Sequence, residues 1–486
     1  MQFIKLIFNH KNTNFYLFNL IIPVFFIIFA LILMPIDQVF YFDTDEGIEL
    51  TKASLFSQNL LFNHEYWDPQ PLLFNILLGK YLNIFGFSII TARIFTLFFA
   101  TLIIWCFTQI LSRSVGNIPA IISTLLLILS INFLRLSVSV MQGIPCLALA
   151  ILAIYFIVLY SQNFKLYLLS LAGISLGISL QLKMITIFLI PVIMLYLFLI
   201  IPNIKQKLIS IFTFLISLTI IFLIIGLLTS SLDLEKIFLF HLSSSLKEDY
   251  QNHNSLKDVI LIYAQNFDFL LLTIVGIKSI KLKENYLYLL PLFWLITITL
   301  LLINHKPVWY HYLVLISVPL IWLASYGIKE ILLLSNNFKI SELWKHKFII
   351  FTLIFSLLVI PVKLGIIYRQ NNIFIQESQI KFTNVDRILT YQNQTHWLFT
   401  DLAMYSFYSK INVPPEIAVL PAKRLISGNL NQTDLLEVLN KYQPEQILIE
   451  RFPIILDQIK PYLETNYQKI YEDKNTKHYI LKSLNQ

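Results

Sequence analysis

Residues Tyr16 to Ile36 read YLFNLIIPVFFIIFALILMPI, and Asp43-Thr44-Asp45-Glu46-Gly47 follows a few positions later. The first stretch carries no charge, and about 20 such residues cross a bilayer as a helix. Three carboxylates within four positions then sit at the water edge, with Glu49 in the next turn. Folding in a membrane does not require acids there, because water solvates that edge at little cost. An enzyme that removes a proton beside a lipid-borne substrate does require one. The plain alternative is a solvated acidic loop, and the rest of the chain weighs against it.

The chain has 486 residues, 57% of them hydrophobic and 13% charged, with a mean hydropathy of +0.71. Soluble domains carry about 25% charged residues, so this is read as a polytopic membrane protein. Phe numbers 40 and Gly only 12, which predicts helices packed through bulky side chains rather than small-residue grooves. The net charge of +8 is scattered between apolar runs and forms no basic stripe, so topology explains it better than nucleic acid does. Cys106 and Cys146 lie inside apolar runs and suggest no disulfide framework. The first run is too long for a signal-peptide core and lacks a small-residue cleavage site, so it is read as an anchor with Lys5 and Lys11 in the cytoplasm.

Further apolar runs at 88–111, 118–134, 143–160, 166–182, 184–201, 208–229, 261–277, 286–303, 311–328 and 348–366 bring the total to about eleven spans. The basic residues set the orientation. The inner loops hold Arg113, Lys165, Lys205 with Lys207, then Lys278, Lys281 and Lys283, then Lys329, Lys339, Lys345 and Lys347. The first loop, 37–87, and everything after about 369 then fall outside. Pro71 to Phe87 is too short and too amphipathic to span and is expected to lie in the membrane plane. Beyond 370 the composition is that of a soluble domain. Short strands are expected at 397–400, 446–449, 467–471 and 478–481, with helices at 432–442 and 452–464. The expected architecture is an all-α polytopic membrane bundle over 1–369 and a C-terminal extracytoplasmic α/β domain over 370–486.

Downstream of the acids come Trp67-Asp68-Pro69-Gln70-Pro71-Leu72, Phe85-Gly86 and Thr91-Ala92-Arg93. Then follow Ser137-Val138-Ser139-Val140-Met141, Gly143-Ile144-Pro145, and Gly173, Gly177 and Lys183. His305-Lys306-Pro307 precedes Tyr310-His311-Tyr312, and the tail holds Val413-Pro414-Pro415-Glu416, Lys423-Arg424 and Tyr442-Gln443-Pro444-Glu445-Gln446. This order resembles glycosyltransferase family 39 of the GT-C superfamily, the bacterial relatives of protein O-mannosyltransferases and of the aminoarabinose transferase that modifies lipid A. Two positions depart from the family pattern: Gln70 replaces the first of two prolines, and Gln142 stands where several relatives carry an acid.

The resemblance implies a membrane glycosyltransferase that uses a polyprenyl-phosphate-linked sugar, placed in a bacterial plasma membrane with its site on the outer side. Asp45 matches the family's catalytic aspartate and is the expected base. Glu46 is expected to orient Asp45 or the acceptor, and Asp43 to do the same or to bind a cation, Mg²⁺ or Mn²⁺, through oxygen ligands. No cofactor is otherwise implied. The leaving lipid phosphate needs positive charge, for which Arg93, Arg135, Lys183 and Lys306 are candidates, with His305 and Tyr310 beside Lys306. Each cation could instead be a snorkelling side chain, and the histidines ordinary interfacial residues. Arg93 lies within a span, where a cation costs about 2.5–3.5 kcal/mol on insertion scales. It therefore needs a partner, either a first-loop carboxylate or the donor phosphate. Asp268 lies in an apolar run, either near the outer surface or facing the bundle interior. The expected partners are the donor, membrane lipid and an acceptor that is a lipid, a polysaccharide or a protein hydroxyl; no nucleic acid is expected. The competing class is a transporter or lipid flippase, which usually shows inverted repeats and spans broken near mid-membrane; the sequence shows neither.

Overall fold

The computed structural model describes residues 13–59, 68, 70–233, 254–280, 286–336, 347–426 and 428–485. The readings at Lys5, Lys11, Trp67, Pro69, Lys281, Lys283, Lys339 and Lys345 lie outside these residues. Every apolar run is helical. The elements are α1 (Thr13–Leu33), α2 (Asp45–Ser57), α3 (Leu73–Phe85), α4 (Ile89–Val115), α5 (Asn117–Ile128), α6 (Ile131–Ser137), α7 (Gly143–Asn163) and α8 (Leu166–Leu182). They continue with α9 (Leu189–Ile200), α10 (Ile204–Leu228), α11 (Ser255–Gln265), α12 (Phe267–Ser279), α13 (Leu289–Asn304), α14 (Leu313–Asn336) and α15 (Lys347–Leu389). Among the described residues six helices are long and apolar enough to cross a membrane, or eight if each of two bent pairs is one span. Two of the expected spans, 166–182 and 184–201, form shorter apolar helical stretches, Leu166–Leu182 and Met184–Ile200.

Two expectations of unbroken spans fail. Helices α5 and α6 meet at a 71° bend and α11 and α12 at an 80° bend. At the second break Asn266 supplies the cause. Its Nδ2 donates to the Ile262 carbonyl (2.8 Å) and Ser317 Oγ donates to its Oδ1 (3.2 Å). The side-chain amide thus takes a carbonyl that the continuing helix would use. Asp268, one residue into α12, is buried and paired with Lys363 at 2.6 Å, so it faces the bundle interior.

The packing expectation also needs correcting at particular crossings. A Cβ on Gly276 would stand 2.4 Å from the Leu323 carbonyl oxygen, and one on Gly327 2.2 Å from that of Leu272. Helices α12 and α14 therefore touch backbone to backbone. Gly173 lies equally close to the Phe214 carbonyl of α10. The few glycines are concentrated where helices must approach most closely.

The change in composition near 370 falls inside one helix, α15, of 43 residues. At 1.5 Å per residue it is about 65 Å long, twice the hydrocarbon thickness. It carries the chain out to a four-stranded sheet of β1 (Leu398–Thr400), β2 (Gln446–Ile449), β3 (Tyr467–Glu472) and β4 (Lys477–Leu481) in the order β1-β2-β4-β3. Strands β1 and β2 run parallel, with Leu398 opposite Gln446; the other pairs are antiparallel. Short helix α16 (Met404–Ser409) follows β1, and α17 (Gln432–Tyr442) and α18 (Ile454–Asn466) flank β2 in sequence. Asn431 starts α17 through a capping box with Asp434, which is why the expected start was right. Leu435, Leu439, Ile455 and Ile459 pack on Phe399, Ile447 and Ile449 as the domain core.

Helix α2 sits between this domain and the bundle. Thr51 donates to the Ala403 carbonyl (3.0 Å), and Ile48 packs with Ala403 and Val419. The acid loop and the tail therefore occupy the same end of the molecule.

Candidate active site

The three acids at the start of α2 part company. Asp43 Oδ1 accepts from the Asp45 amide (3.0 Å), bracing the first turn. Glu46 is fully buried. Its carboxylate accepts from the Phe42 amide (2.7 Å) and the Val140 amide (2.8 Å) and pairs with Arg93 at 3.1 Å. Arg93, also fully buried, donates to the carbonyls of Ile36 (2.6 Å) and Val39 (2.8 Å). Its guanidinium lies 4.6 Å from the centre of the Phe42 ring. Arg93 has the carboxylate partner that its cost demanded, and the pair ties the loop after α1 to α4.

Asp43 and Asp45 remain on a cleft of about 1210 Å³. The first-loop region contributes Asp43, Asp45, Glu49, Lys52, Asp68 and Gln70; Lys183, His305, Trp309, Tyr310, His311 and Tyr312 come from the bundle side. Val419, Pro421, Ala422 and Arg451 come from the tail domain. Burial and the neighbouring Asp45 push the Asp43 carboxyl up to about 7. Glu49 is also raised by burial, against the pull of Lys52. Although burial opposes its charge, Lys52 is raised by Asp68 and Glu49.

The tail's contribution is firmly built. Asp401 accepts from the amides of Glu450 (2.9 Å), Arg451 (2.7 Å) and Phe452, which fixes the turn that carries Arg451. Burial pushes the Asp401 carboxyl up to about 6 in spite of those three donors. Glu450, next to it, accepts from Lys381 of α15 and from Tyr405 of α16.

A narrow apolar slot adjoins the cleft, lined by Leu136, Met141, Ile144, Leu147, Ile185, Val314 and Leu315. It shares Lys183, His311 and Tyr312 with the cleft. Lys183 thus stands where a polar space meets an apolar one. The Nε2 atom of His311 at this junction is buried and has no hydrogen-bond partner among the described residues. A third space, about 1400 Å³, is lined by Arg135, Asn266, Lys363 and Gln370 among others, and shares Tyr310 with the cleft.

Of the residues expected at the site, the structure brings together Asp43, Asp45, Lys183, His305 and Tyr310. Arg135 lines the third space instead; its Nε donates to Tyr310 Oη (2.6 Å) and its guanidinium lies 3.7 Å from that ring's centre. Lys306 shares a loop with His305 but does not line the cleft. Glu46 and Arg93 are enclosed with each other. Among the described residues no three His, Cys, Asp or Glu side chains converge as a metal site. Sequence reasoning missed Lys52 and Arg451 altogether. The spacing of Glu49 and Lys52, one helical turn apart, was a signal for the first.

Residues 69–228 match the family described as Dolichyl-phosphate-mannose-protein mannosyltransferase. A search of curated proteins finds no match. Among solved structures, ArnT from Cupriavidus metallidurans bound to undecaprenyl phosphate superposes with a TM-score of 0.63, at 11% identity over 94% of this chain and 97% of that one. The archaeal oligosaccharyltransferase AglB from Archaeoglobus fulgidus, in complex with an inhibitory peptide and a dolichol-phosphate, gives 0.55 at 11% identity over 96% and 74%. At such low identity the likeness concerns the fold. The chain is an integral membrane protein and a fold relative of the GT-C glycosyltransferases.

Proposed function

We propose that this protein is a membrane glycosyltransferase that moves a sugar from a polyprenyl-phosphate donor to an acceptor hydroxyl on the non-cytoplasmic side, with Asp45 as general base. One observation carries the reading: Asp43, Asp45 and Lys183 line a single cleft, and Lys183 also lines the apolar slot beside it. A donor of this class has the same order of parts, an apolar chain, a phosphate and a sugar. Lys183 would hold the phosphate, and the slot would take the first isoprene units.

In the step, the acceptor oxygen bonds to the anomeric carbon as the bond from that carbon to the phosphate oxygen breaks. The electron pair leaves on the phosphate, the hydroxyl proton passes to Asp45, and the configuration inverts. A proton on Asp43 relieves repulsion between the two carboxylates. The acceptor is a lipid, a polysaccharide or a protein hydroxyl. The bound undecaprenyl phosphate and dolichol-phosphate of the two solved fold relatives support the donor class.

The charge distribution supports the outer side. Arg93 and Arg113 stand near the two ends of α4, about 30 Å apart. The acids are at the Arg93 end, and the lysine-rich loops follow Arg113 in phase. The transporter reading gains one feature from the structure, because residues at the two breaks, Ser130 and Asn266, line the third space. The likeness to transferase folds along nearly the whole chain outweighs it.

Two measurements test the proposal. Purified protein incubated with a panel of polyprenyl-phosphate sugars should release polyprenyl phosphate; no release from any donor, with no binding, would sink the transferase reading. Cysteines introduced at exposed Lys460 and Lys165 test the side. A membrane-impermeant thiol reagent applied to intact cells should label Lys460→Cys and spare Lys165→Cys, and the reverse result would invert the topology.

A further inference from the structure

Glu49, Lys52 and Asp68 are 8%, 1% and 8% exposed, and all three line the cleft. Lys52 Nζ lies 2.9 Å from Glu49 Oε2 and 3.0 Å from Asp68 Oδ2. Asn75 Nδ2 (2.6 Å) and Gln142 Nε2 (3.1 Å) donate to the same Glu49 Oε2. Three donors therefore converge on one oxygen, while Glu49 Oε1 has no hydrogen-bond partner among the described residues. A buried ion cluster is seldom more stable than a well-packed apolar one. Here one carboxylate is fixed from three sides, with an acceptor oxygen left over in a residue that lines the cleft.

We propose that Glu49 reads the glycosyl group, accepting a sugar hydroxyl through Oε1, and that the site takes a sugar without a carboxylate. The inference rests on the glycosyltransferase reading of the cleft. A uronate at this position would bring a second negative charge against Glu49. Lys52, the cation beside it, is already shared by two carboxylates, and Asp45 and Asp68 line the same cleft. A neutral sugar meets an acceptor for its hydroxyl without that second charge. Gln142 is one of the departures from the family pattern; an acid there would repel Glu49, whereas the amide donates to it.

The test uses the full-length protein in detergent with two polyprenyl-phosphate donors that differ at one carbon, a neutral hexose and its hexuronate. Binding, KM and kcat are measured for the parent and for Glu49→Gln, with the melting temperature of each. Glu49→Gln keeps the side-chain volume and leaves Lys52 paired with Asp68, so it should fold. The parent should favour the hexose at least tenfold. The variant should raise KM for the hexose by about 10-fold or more, the loss of a hydrogen bond to a charged group, with a smaller change in kcat. Its preference over the uronate should narrow. A purely structural Glu49 would lower the melting temperature and leave the preference unchanged. Transfer of both donors alike by the parent, preference for the uronate, or an unaltered preference in Glu49→Gln would overturn the inference and leave the transferase reading standing. Failure of the parent to bind or turn over either donor would overturn both.

Discussion

Gly47 lies against the backbone of Met404 so closely that a Cβ at position 47 would stand 2.4 Å from the Met404 nitrogen. The acid helix and the first helix of the tail domain touch at a point that only glycine permits. This contact lies two residues from Asp45 and is continued by the Thr51–Ala403 hydrogen bond. The tail thereby takes part in setting where Asp45 points. Gly47→Val should push α2 and α16 apart without disturbing the sheet core around Phe399 and Ile447. We expect donor turnover to fall at least tenfold while the tail remains folded, because a displacement of about 1 Å at a reacting group can cost 10²-fold. Limited proteolysis should then cut between α15 and β1 faster than in the parent. Unchanged turnover would show that tail docking does not position the site.

The pair of Glu46 and Arg93 is predicted to act on stability. Both are fully buried, and their hydrogen bonds to Phe42, Val140, Ile36 and Val39 shape the first loop. Removing one partner leaves a buried charge unpaired, at a cost of about 3–5 kcal/mol. Glu46→Gln and Arg93→Met should each lower the melting temperature in detergent clearly, and the double variant should recover part of the loss. If Arg93→Met left stability intact but weakened donor binding, Arg93 would be a phosphate ligand after all.

Much of the fold could be read in the sequence because the apolar runs are long and uncharged, and because β2 carries the apolar run Ile447–Ile449 between polar neighbours. The breaks at Ser130 and Asn266 could not be, since a hydropathy window averages over one polar residue. Nor could the reach of α15 to Leu389: outside the bilayer a helix needs no apolar face, so the composition changes while the helix continues. Within the site, the acid cluster was legible but the roles of its members were not. Neighbouring residues on a helix point about 100° apart, so Asp45 and Glu46 cannot share a direction once α2 begins at Asp45. Arg451 reaches the cleft only because the tail docks on α2, and no local pattern around residue 451 encodes that.

The raised carboxyl of Asp43 predicts how stability changes with pH. Its value of about 7 in the folded protein compares with an ordinary 3.8. Between about pH 4 and 7 the folded state therefore holds a proton that the unfolded chain has released. Stability falls as pH rises through that window, and the loss is complete above it. Asp401, pushed up to about 6, adds a slope of the same sign. His478, which burial lowers to about 4, gives the opposite slope up to about its ordinary value of 6.5, so the window to compare lies above it. The parent's melting temperature should fall between pH 6.5 and pH 8. Asp43→Asn should show a smaller drop, with the Asp401 contribution remaining. Equal drops in the two proteins would mean that Asp43 is not a buried, proton-holding carboxyl.

In the proposed reaction Asp45 would take the proton and Lys183 would hold the phosphate, and two substitutions separate these parts. Asp45→Asn keeps the size of the side chain and removes its basicity. Donor should still bind, because on the proposed reading the phosphate and apolar chain would be held by Lys183 and the slot rather than by Asp45. Loss of general-base assistance should slow transfer by about 10²–10⁴-fold. Lys183→Ala removes positive charge where the cleft meets the slot. It should weaken donor binding by about 10-fold or more, as expected for a lost hydrogen bond to a charged group. Transfer should slow as well, because the departing phosphate loses stabilisation. Neither change should alter membrane insertion. Asp45 is at the start of α2, outside the spanning helices, and Lys183 is at the end of α8. Donor binding by fluorescence or calorimetry and transfer under saturating donor separate the two effects. Transfer by Asp45→Asn at the parent rate would move the base to Asp43, the remaining carboxylate beside it. Parent-like binding by Lys183→Ala would remove Lys183 from the phosphate site and turn attention to Arg451, the cation that the tail brings to the same cleft.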